Sequence, residues 1–551
     1  MEKELKKDQE TEKETDTEPK QPEVYSYHTF MFPFLYEMNK TTRKKFEKCC
    51  HPGWFADVWE PEKMNEAVYY SQYHYFNEAA HNAIYMTEDS DDVIVRNLRF
   101  DLLSLTETVP KANPARENDR PKNVGNPIRY VICKDGKKYF LDVNAIRMKL
   151  YNTGVGILIF ELENREHPAE NDVIRINDFG RRIYAPYYAY YDGAMHCSIC
   201  ADEIYLEIKG KKDADGNLLP DKLRESSEET VLAEPILRLL SNGEYRATTK
   251  KKCSANEFCI EPVIDDRMFV ACYYKNGDFV DAMREWDGEN YRYITHAKEK
   301  YPFDNSENGN AAHRLYTMMY VDGDGICCHG RNMLQDLLSD DHIYTRWLEY
   351  WYNGDDAKEF RGTITGFSEY TMISVAKKPA DYLIAPFLTQ YVEMAALALA
   401  QRASLLSFEY MISECAKDER NYKVENIQKK YTLFQSQILL KEVSPQQQGI
   451  EIYDRLEKNL MIEKEQSEIK DQIEGLFEQK NFYHDRKENV ILFILSLLSV
   501  VEATDIVCNI LDTMHGEAWD WISLEGAKLG VMGSLIVVLL IVVPLCLRRK
   551  K

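Results

Sequence analysis

Four polar side chains sit in one of the most apolar stretches of the chain. In SLLSVVEATDIVCNILD, residues 496–512, Glu502, Asp505, Asn509 and Asp512 recur at spacings of three and four, with Ser499 ahead of them. On a helix turning about 100° per residue the four fall within an arc of roughly 80°, and Ser499 borders it. A carboxylate near the middle of a bilayer costs at least ~2.5 kcal/mol on insertion scales, so Glu502 and Asp505 are hard to sustain against lipid. Facing water around a shared axis, several copies would stack rings of carboxylate that attract cations and repel anions. The alternatives are carboxylates paired inside a helix bundle, or protonated there. Asn489 and Ser496 lie more than about 100° from the centre of the arc. Either the helix supercoils or another face lines the inner half.

Two apolar runs must position these residues. VILFILSLLSVVEATDIVCNIL, residues 490–511, is roughly 33 Å long as a helix, enough to cross a hydrocarbon core of about 30 Å. LGVMGSLIVVLLIVVPLCL, residues 529–547, carries no charge. The short connection between them makes the pair a transmembrane hairpin spanning residues 488–547. Its loop holds one lysine and four carboxylates, Asp512, Glu517, Asp520 and Glu525, while HDRKEN precedes the first run and RRKK, residues 548–551, follows the second. The positive-inside rule then places both ends in the cytosol. Trp519 and Trp521 suit the outer interfacial belt, and Gly526, Gly530, Gly533 and Ser534 would let helix backbones approach closely.

Other chemistry-bearing clusters are sparse. HCSIC supplies His196, Cys197 and Cys200 at zinc-ligand spacing, and Cys327, Cys328 and His329 could complete a site. The second group lacks the clean pairing of structural zinc sites, and buried free thiols are the alternative. The nucleotide-binding G-x-x-x-x-G-K-[ST], the hydrolase G-x-S-x-G and the zinc-protease H-E-x-x-H patterns are absent, so no catalytic residue is assigned and the chain reads as no enzyme. NTGVG, residues 152–156, precedes a strand rather than a helix, so it reads as a turn, as does VDGDG, residues 321–325.

The chain has 551 residues, is 44% hydrophobic and carries a formal net charge of −22. That length exceeds one compact domain, and that charge argues against a nucleic-acid polymer as partner. The 13 scattered cysteines fit a reducing compartment better than a disulfide framework. Residues 1–21, charged and nearly free of large apolar side chains, read as a disordered tail without the apolar core of a secretion signal, so the chain begins in the cytosol. Residues 22–380 read as an α/β or α+β cytosolic domain. RYVICKDGKKYFLDV is a hairpin around Asp135-Gly136, VGILIFELE a buried strand, and DEIYLEIKG, RMFVACYYKNG and GTITGFSEYTMISVA further strands, with RNMLQDLLSDDHIYTRWLEYW as a helix between. Residues 381–487 are helical in composition. Within them Ser444-Pro445 opens a long stalk helix whose apolar positions include Tyr453, Leu456, Leu460, Ile469, Ile473 and Leu476.

A soluble N-terminal domain, a stalk helix running into the first span, a short outer loop, a second span and the basic tail Arg548, Arg549, Lys550 and Lys551 resemble the CorA-type divalent-cation transporter superfamily. AALALAQRASLLSF, GVGILIFELEN and INDFGRRIYAP look like segments of its divergent bacterial members. The resemblance covers roughly residues 380–551. It implies a homopentamer in the bacterial cytoplasmic membrane, a pore lined by the first span, and a divalent cation, magnesium by default, as transported ion. The family's Gly-Met-Asn at the outer end of the first span is missing; Met514-His515-Gly516 stands there. The competing expectations are a ligand-gated effector channel, as in antiviral defence, whose cytosolic domain takes a small molecule such as a nucleotide-type messenger, and a membrane-anchored scaffold that is no channel.

Overall fold

The computed structural model describes residues 23–36, 42–60, 67–105, 128–187, 189–191, 194–219, 232–249, 253–282, 284–287, 290–293, 307–321, 341–348, 361–417, 423–514 and 533. Thirteen strands join in one sheet: β1 (Ser26–Leu35), β2 (Trp54–Ala56), β3 (Val95–Phe100), β4 (Ile128–Lys134), β5 (Lys137–Tyr151), β6 (Val155–Asn164), β7 (Glu203–Ile208), β8 (Lys211–Lys212), β9 (Glu261–Pro262), β10 (Phe269–Lys275), β11 (Ile343–Leu348), β12 (Arg361–Phe367) and β13 (Thr371–Ala376). The order is β8-β7-β4-β5-β6-β1-β10-β13-β12-β11, with β3 also paired to β5, β2 to β3 and β9 to β1. Every pairing is antiparallel except β10 with β13. The mixed α/β character expected from the sequence is present.

The expected hairpin around Asp135-Gly136 forms. Both residues hold positive φ, 52° and 76°, the two-residue turn whose twist matches that of paired strands. The run 331–351 departs from its helical reading: Ile343–Leu348 is a strand paired with β12. Its β-branched and aromatic residues, Ile343, Tyr344, Thr345 and Trp347, suit a pleated surface better than a helix.

One face of the sheet carries the main apolar core. Phe30, Phe32 and Phe34 of β1 pack there with Leu158, Phe160 and Leu162 of β6 and with Tyr139, Leu141, Val143, Ile146, Met148 and Leu150 of β5. On β5 the apolar phase slips by one residue, from odd to even positions. The register shows why: a bulge lies between Val143 and Ala145. Without it, Arg147 and Lys149 would point into the core.

The helix α1 (Glu170–Gly180) packs on this core face through Val173, Ile174, Ile176 and Phe179. Beside them lies a polar network sealed from solvent. His28 Nδ1–H donates to Asn177 Oδ1 at 2.6 Å, Ser26 Oγ lies 2.8 Å from His28 Nε2, and Asn164 Nδ2 donates to Ser26 Oγ at 2.9 Å. The order resembles nucleophile, base and orienting amide, but none of the four is more than 2% exposed, so no substrate reaches it. It ties α1 to the sheet and holds a neutral histidine.

Four further helices follow the sheet: α2 (Val392–Lys417), α3 (Val424–Gln437), α4 (Gln447–Asn459) and α5 (Ile462–Met514). The chain divides into two compact units, Met1–Ser413 with Ile427–Ile469, and Glu414–Asn426 with Lys470–Lys551. Among the described residues one helical run, Ala380–Lys417, is long and apolar enough to cross a membrane, and 67% of its apolar window is buried. Met394 through Ala400 are each at most 1% exposed, and Gln401 Nε2 donates to Ile438 O and Tyr453 Oη, both at 2.8 Å. That is how a core helix, apolar all round, looks. The stalk helix expected from Ser444 onward is two helices. Met461, at φ 55°, separates α4 from α5, and Ser444 is buried, its Oγ donating to Tyr75 O at 2.6 Å.

Burial lowers the His28 imidazole to about 4, against the raising effect of its Asn177 bond. A histidine held below its ordinary value supports the fold above about pH 6.5 and loses that contribution as pH falls through 4, worth about 3 kcal/mol. Urea midpoints should therefore drop less between pH 6.5 and 4 in His28→Gln than in the parent chain.

Candidate functional site

The face of the sheet opposite the apolar core carries charge. Alternation puts Asn97 and Arg99 of β3, Arg147 and Lys149 of β5, Glu161 and Glu163 of β6, and Tyr27 and Thr29 of β1 on it, and the register sets Asn97 beside Lys149 and Arg99 beside Arg147. Ile84, Tyr85 and Met86, together with Asp57 and Trp59, wall one side, and the segment Asp381–Glu393 covers the top. Between them lies a cavity of about 590 Å³, within the range of small-molecule sites.

The deep end is an ion cluster. Arg147 Nη2 lies 2.6 Å from Glu161 Oε1 and its Nη1 pairs with Glu393. Lys149 Nζ lies 2.7 Å from Glu393 Oε2 and donates to Ile84 O at 2.9 Å and Asn97 Oδ1 at 3.3 Å. Burial pulls the Lys149 pKa down, against the raising effect of Glu393 beside it. For Glu393 burial pushes upward, but Lys149 and Arg147 hold the carboxyl at about 2. Glu393 also sits in the first turn of α2, where the helix dipole favours a carboxylate.

Two irregularities border the cavity. The bulge in β5 turns Asn144 and Ala145 into its lining. The cover passes from a 3-10 turn, Lys378–Leu383, through Ile384–Pro386 to a π-turn, Phe387–Tyr391, before α2 begins, and Leu388 and Thr389 of the π-turn line the space. Bulges and π-turns recur beside functional sites because each re-aims side chains at a local cost. The aromatic wall is pre-assembled: the Trp59 ring lies 4.7 Å from Tyr85 and 5.5 Å from Tyr73, which stacks on His81 at 3.8 Å.

Sequence reasoning missed this site. The signal that could have found it is the slip of apolar phase in YFLDVNAIRMKLY, which strands Arg147 and Lys149 on the polar face. The residues singled out from the sequence lie elsewhere. Ser499, Glu502, Asp505, Asn509 and Asp512 all belong to α5. Glu502, Asp505 and Asn509 are exposed, and Ser499 Oγ donates to Leu495 O at 3.0 Å. Large apolar residues around them are exposed too: Ile491, Leu492, Ile494, Leu495, Leu498 and Ile506 range from 41% to 61%. Glu517, Asp520 and Glu525 lie outside the described residues, as do the tails 1–21 and 548–551 and, Gly533 aside, the second apolar run 529–547.

His196 is exposed at the end of the short strand Ala194–His196, whereas Cys197 and Cys200 are buried free thiols. Burial, then neighbouring Cys197, raise the Cys200 thiol, whose Sγ–H donates to Tyr184 O at 3.7 Å. No three His, Cys, Asp or Glu side chains among the described residues come together as metal ligands; Cys327, Cys328 and His329 lie outside them. No family model matches the chain, and no curated protein matches it.

Glu393 is the hub of the cluster, and removing its charge leaves buried Lys149 and part-buried Arg147 without their shared partner. Glu393→Gln should destabilise the first unit by about 3–5 kcal/mol, read as a fall in the urea midpoint of the full chain. Because its carboxyl is held below the ordinary value, the contribution is present above about pH 4.5 and fades as pH falls through 2. The gap between parent and variant should narrow accordingly in acid.

Proposed function

We propose that the chain is a CorA-like membrane cation channel or transporter, assembled from several copies of itself, with a divalent cation such as magnesium as cargo. The observation that carries this reading is the second half of α5. Ile491, Leu492, Ile494, Leu495, Leu498 and Ile506 stand exposed, close to the exposed carboxylates Glu502 and Asp505. Water is a poor solvent for such a surface, and lipid is a poor one for the carboxylates. An oligomer in a bilayer satisfies both, with acid toward a shared axis and apolar faces toward lipid and neighbours. In this arrangement the uncharged run 529–547 forms the second span, and both termini lie in the cytosol.

The exposed side chains also bear on the inner half of the pore. On a helix turning about 100° per residue, Ile491 falls about 20° from Glu502, and Ile494 about 20° from Asp505. One face is therefore acidic in its outer half and apolar in its inner half, so the lining does not need a second face. A second reading, that this channel opens on binding a small molecule, is favoured by the cavity over the sheet.

Neutralising the face separates channel from scaffold. The double variant Glu502→Gln, Asp505→Asn keeps size and hydrogen bonding but removes two charges per copy. It should insert and assemble, since an insertion cost is relieved, and its cation-over-anion preference in reconstituted bilayers should fall several-fold. Loss of assembly with unchanged selectivity of the residual current would mark the carboxylates as structural partners inside a bundle.

A further inference from the structure

We propose that the cavity over the charged face of the sheet binds a free amino acid or a close zwitterionic analogue, with Arg99 receiving its acid group and Asp57 its ammonium. The inference starts from the charges that line the cavity. Most are matched within the protein: Arg147 by Glu161 and Glu393, Lys149 by Glu393, Glu163 by Arg165 at 2.6 Å, and Asp381 by Lys275 at 3.3 Å. Two half-buried groups of opposite sign, Arg99 and Asp57, line the same space and form no ion pair among the described residues.

The register sets Arg99 directly beside Arg147 on the neighbouring strand, and like charges in that position repel. Asp57 is held at the cavity wall because its backbone N–H donates to Asn97 O at 2.9 Å. A bound acid group would give Arg99 a counter-ion, and a bound ammonium would pair directly with Asp57, whose charge otherwise acts only at longer range on Arg147 and Lys149.

Matched charge elsewhere excludes other ligand classes. A multiply charged anion would have to displace Glu393 or Glu161 from cations they already neutralise. A bare amine would satisfy Asp57 and leave Arg99 without a counter-ion. A molecule with one charge of each sign meets both groups at no net charge. The rest of the lining suits a sizeable apolar or aromatic body, with Ile84, Met86, Ile384 and Leu388 beside the rings of Trp59 and Tyr85.

This inference deepens the ligand-gated reading and is separable from it, because binding and gating have different readouts. Isothermal titration calorimetry of the full chain in detergent, against each of the twenty common amino acids, tests it. At least one should bind, one per chain. Its decarboxylated amine and its deaminated acid should each bind at least tenfold more weakly. Asp57→Asn and Arg99→Gln should each weaken binding at least tenfold while the free variants stay folded, since neither removes an ion pair. Absence of binding by all twenty overturns the proposal, as does equal binding of the amine or the acid alone, or binding indifferent to both substitutions. The analogue comparison needs only the parent chain, so it decides the matter even if a variant fails to fold. Binding that leaves ion flux unchanged would overturn ligand gating and leave the site intact.

Discussion

A single extra residue in β5 governs the first unit. Strand side chains alternate, so one residue of slip exchanges the faces of everything beyond it. Up to Val143 the odd positions are apolar; from Ile146 the even ones are. The bulge at Asn144 absorbs the difference and keeps one continuous core under β4, β5, β6 and β1. It also delivers Arg147 and Lys149 to the other face, where Glu161 from the adjacent strand and Glu393 from the covering helix neutralise them. Deleting that slip would bury two cations against Phe160 and Leu158, a cost no local repacking offsets. The core and the charged cavity are thus two results of one backbone irregularity.

The cover of the cavity answers to the same cluster. Buried ion pairs gain little net stability, because desolvation consumes most of the attraction. What they supply here is position. Glu393 can satisfy Arg147 and Lys149 together only if the first turn of α2 sits at one height over β5. The irregular turns from Lys378 to Tyr391 adjust the chain between β13 and that fixed point. The π-turn is the place where the helix yields: its Leu388 and Thr389 line the open space while Phe387 and Tyr391 stay buried.

How much of this was legible depended on whether a signal was local. Asp135-Gly136 announces a turn whatever surrounds it, and the strands of VGILIFELE and RMFVACYYKNG are continuous apolar runs that only a doubly covered strand explains. Ile343–Leu348 was misread because its neighbours have helical composition, and pairing with β12 overrode that preference. The break at Met461 was illegible for a related reason: methionine is a good helix former, and its positive φ comes from where α4 and α5 must pack. The cavity is non-local in full. Asp57, Arg99, Arg147 and Glu393 are spread over more than three hundred residues, and only strand register brings them to one place. The phase slip in β5 was visible in the sequence, but its meaning required knowing that the strand is covered on both faces.

The charge balance of the cavity constrains what a ligand there would meet. The protein as a whole carries −22, so a long-range field would draw cations toward it and repel anions. Inside the cavity most charges are answered locally by ion pairs, with Arg99 and Asp57 left outside them. A ligand entering such a space loses its hydration and recovers it only from groups not already engaged. A ligand with a single charge would match one of Arg99 and Asp57 and leave the other without a partner in a space with less water around it. A neutral ligand without charges would leave Arg99 against Arg147. The arrangement that leaves no group unanswered is a molecule with both charges, at a separation set by β2 and β3. Selectivity of this kind rests on penalties against wrong ligands as much as on contacts with the right one.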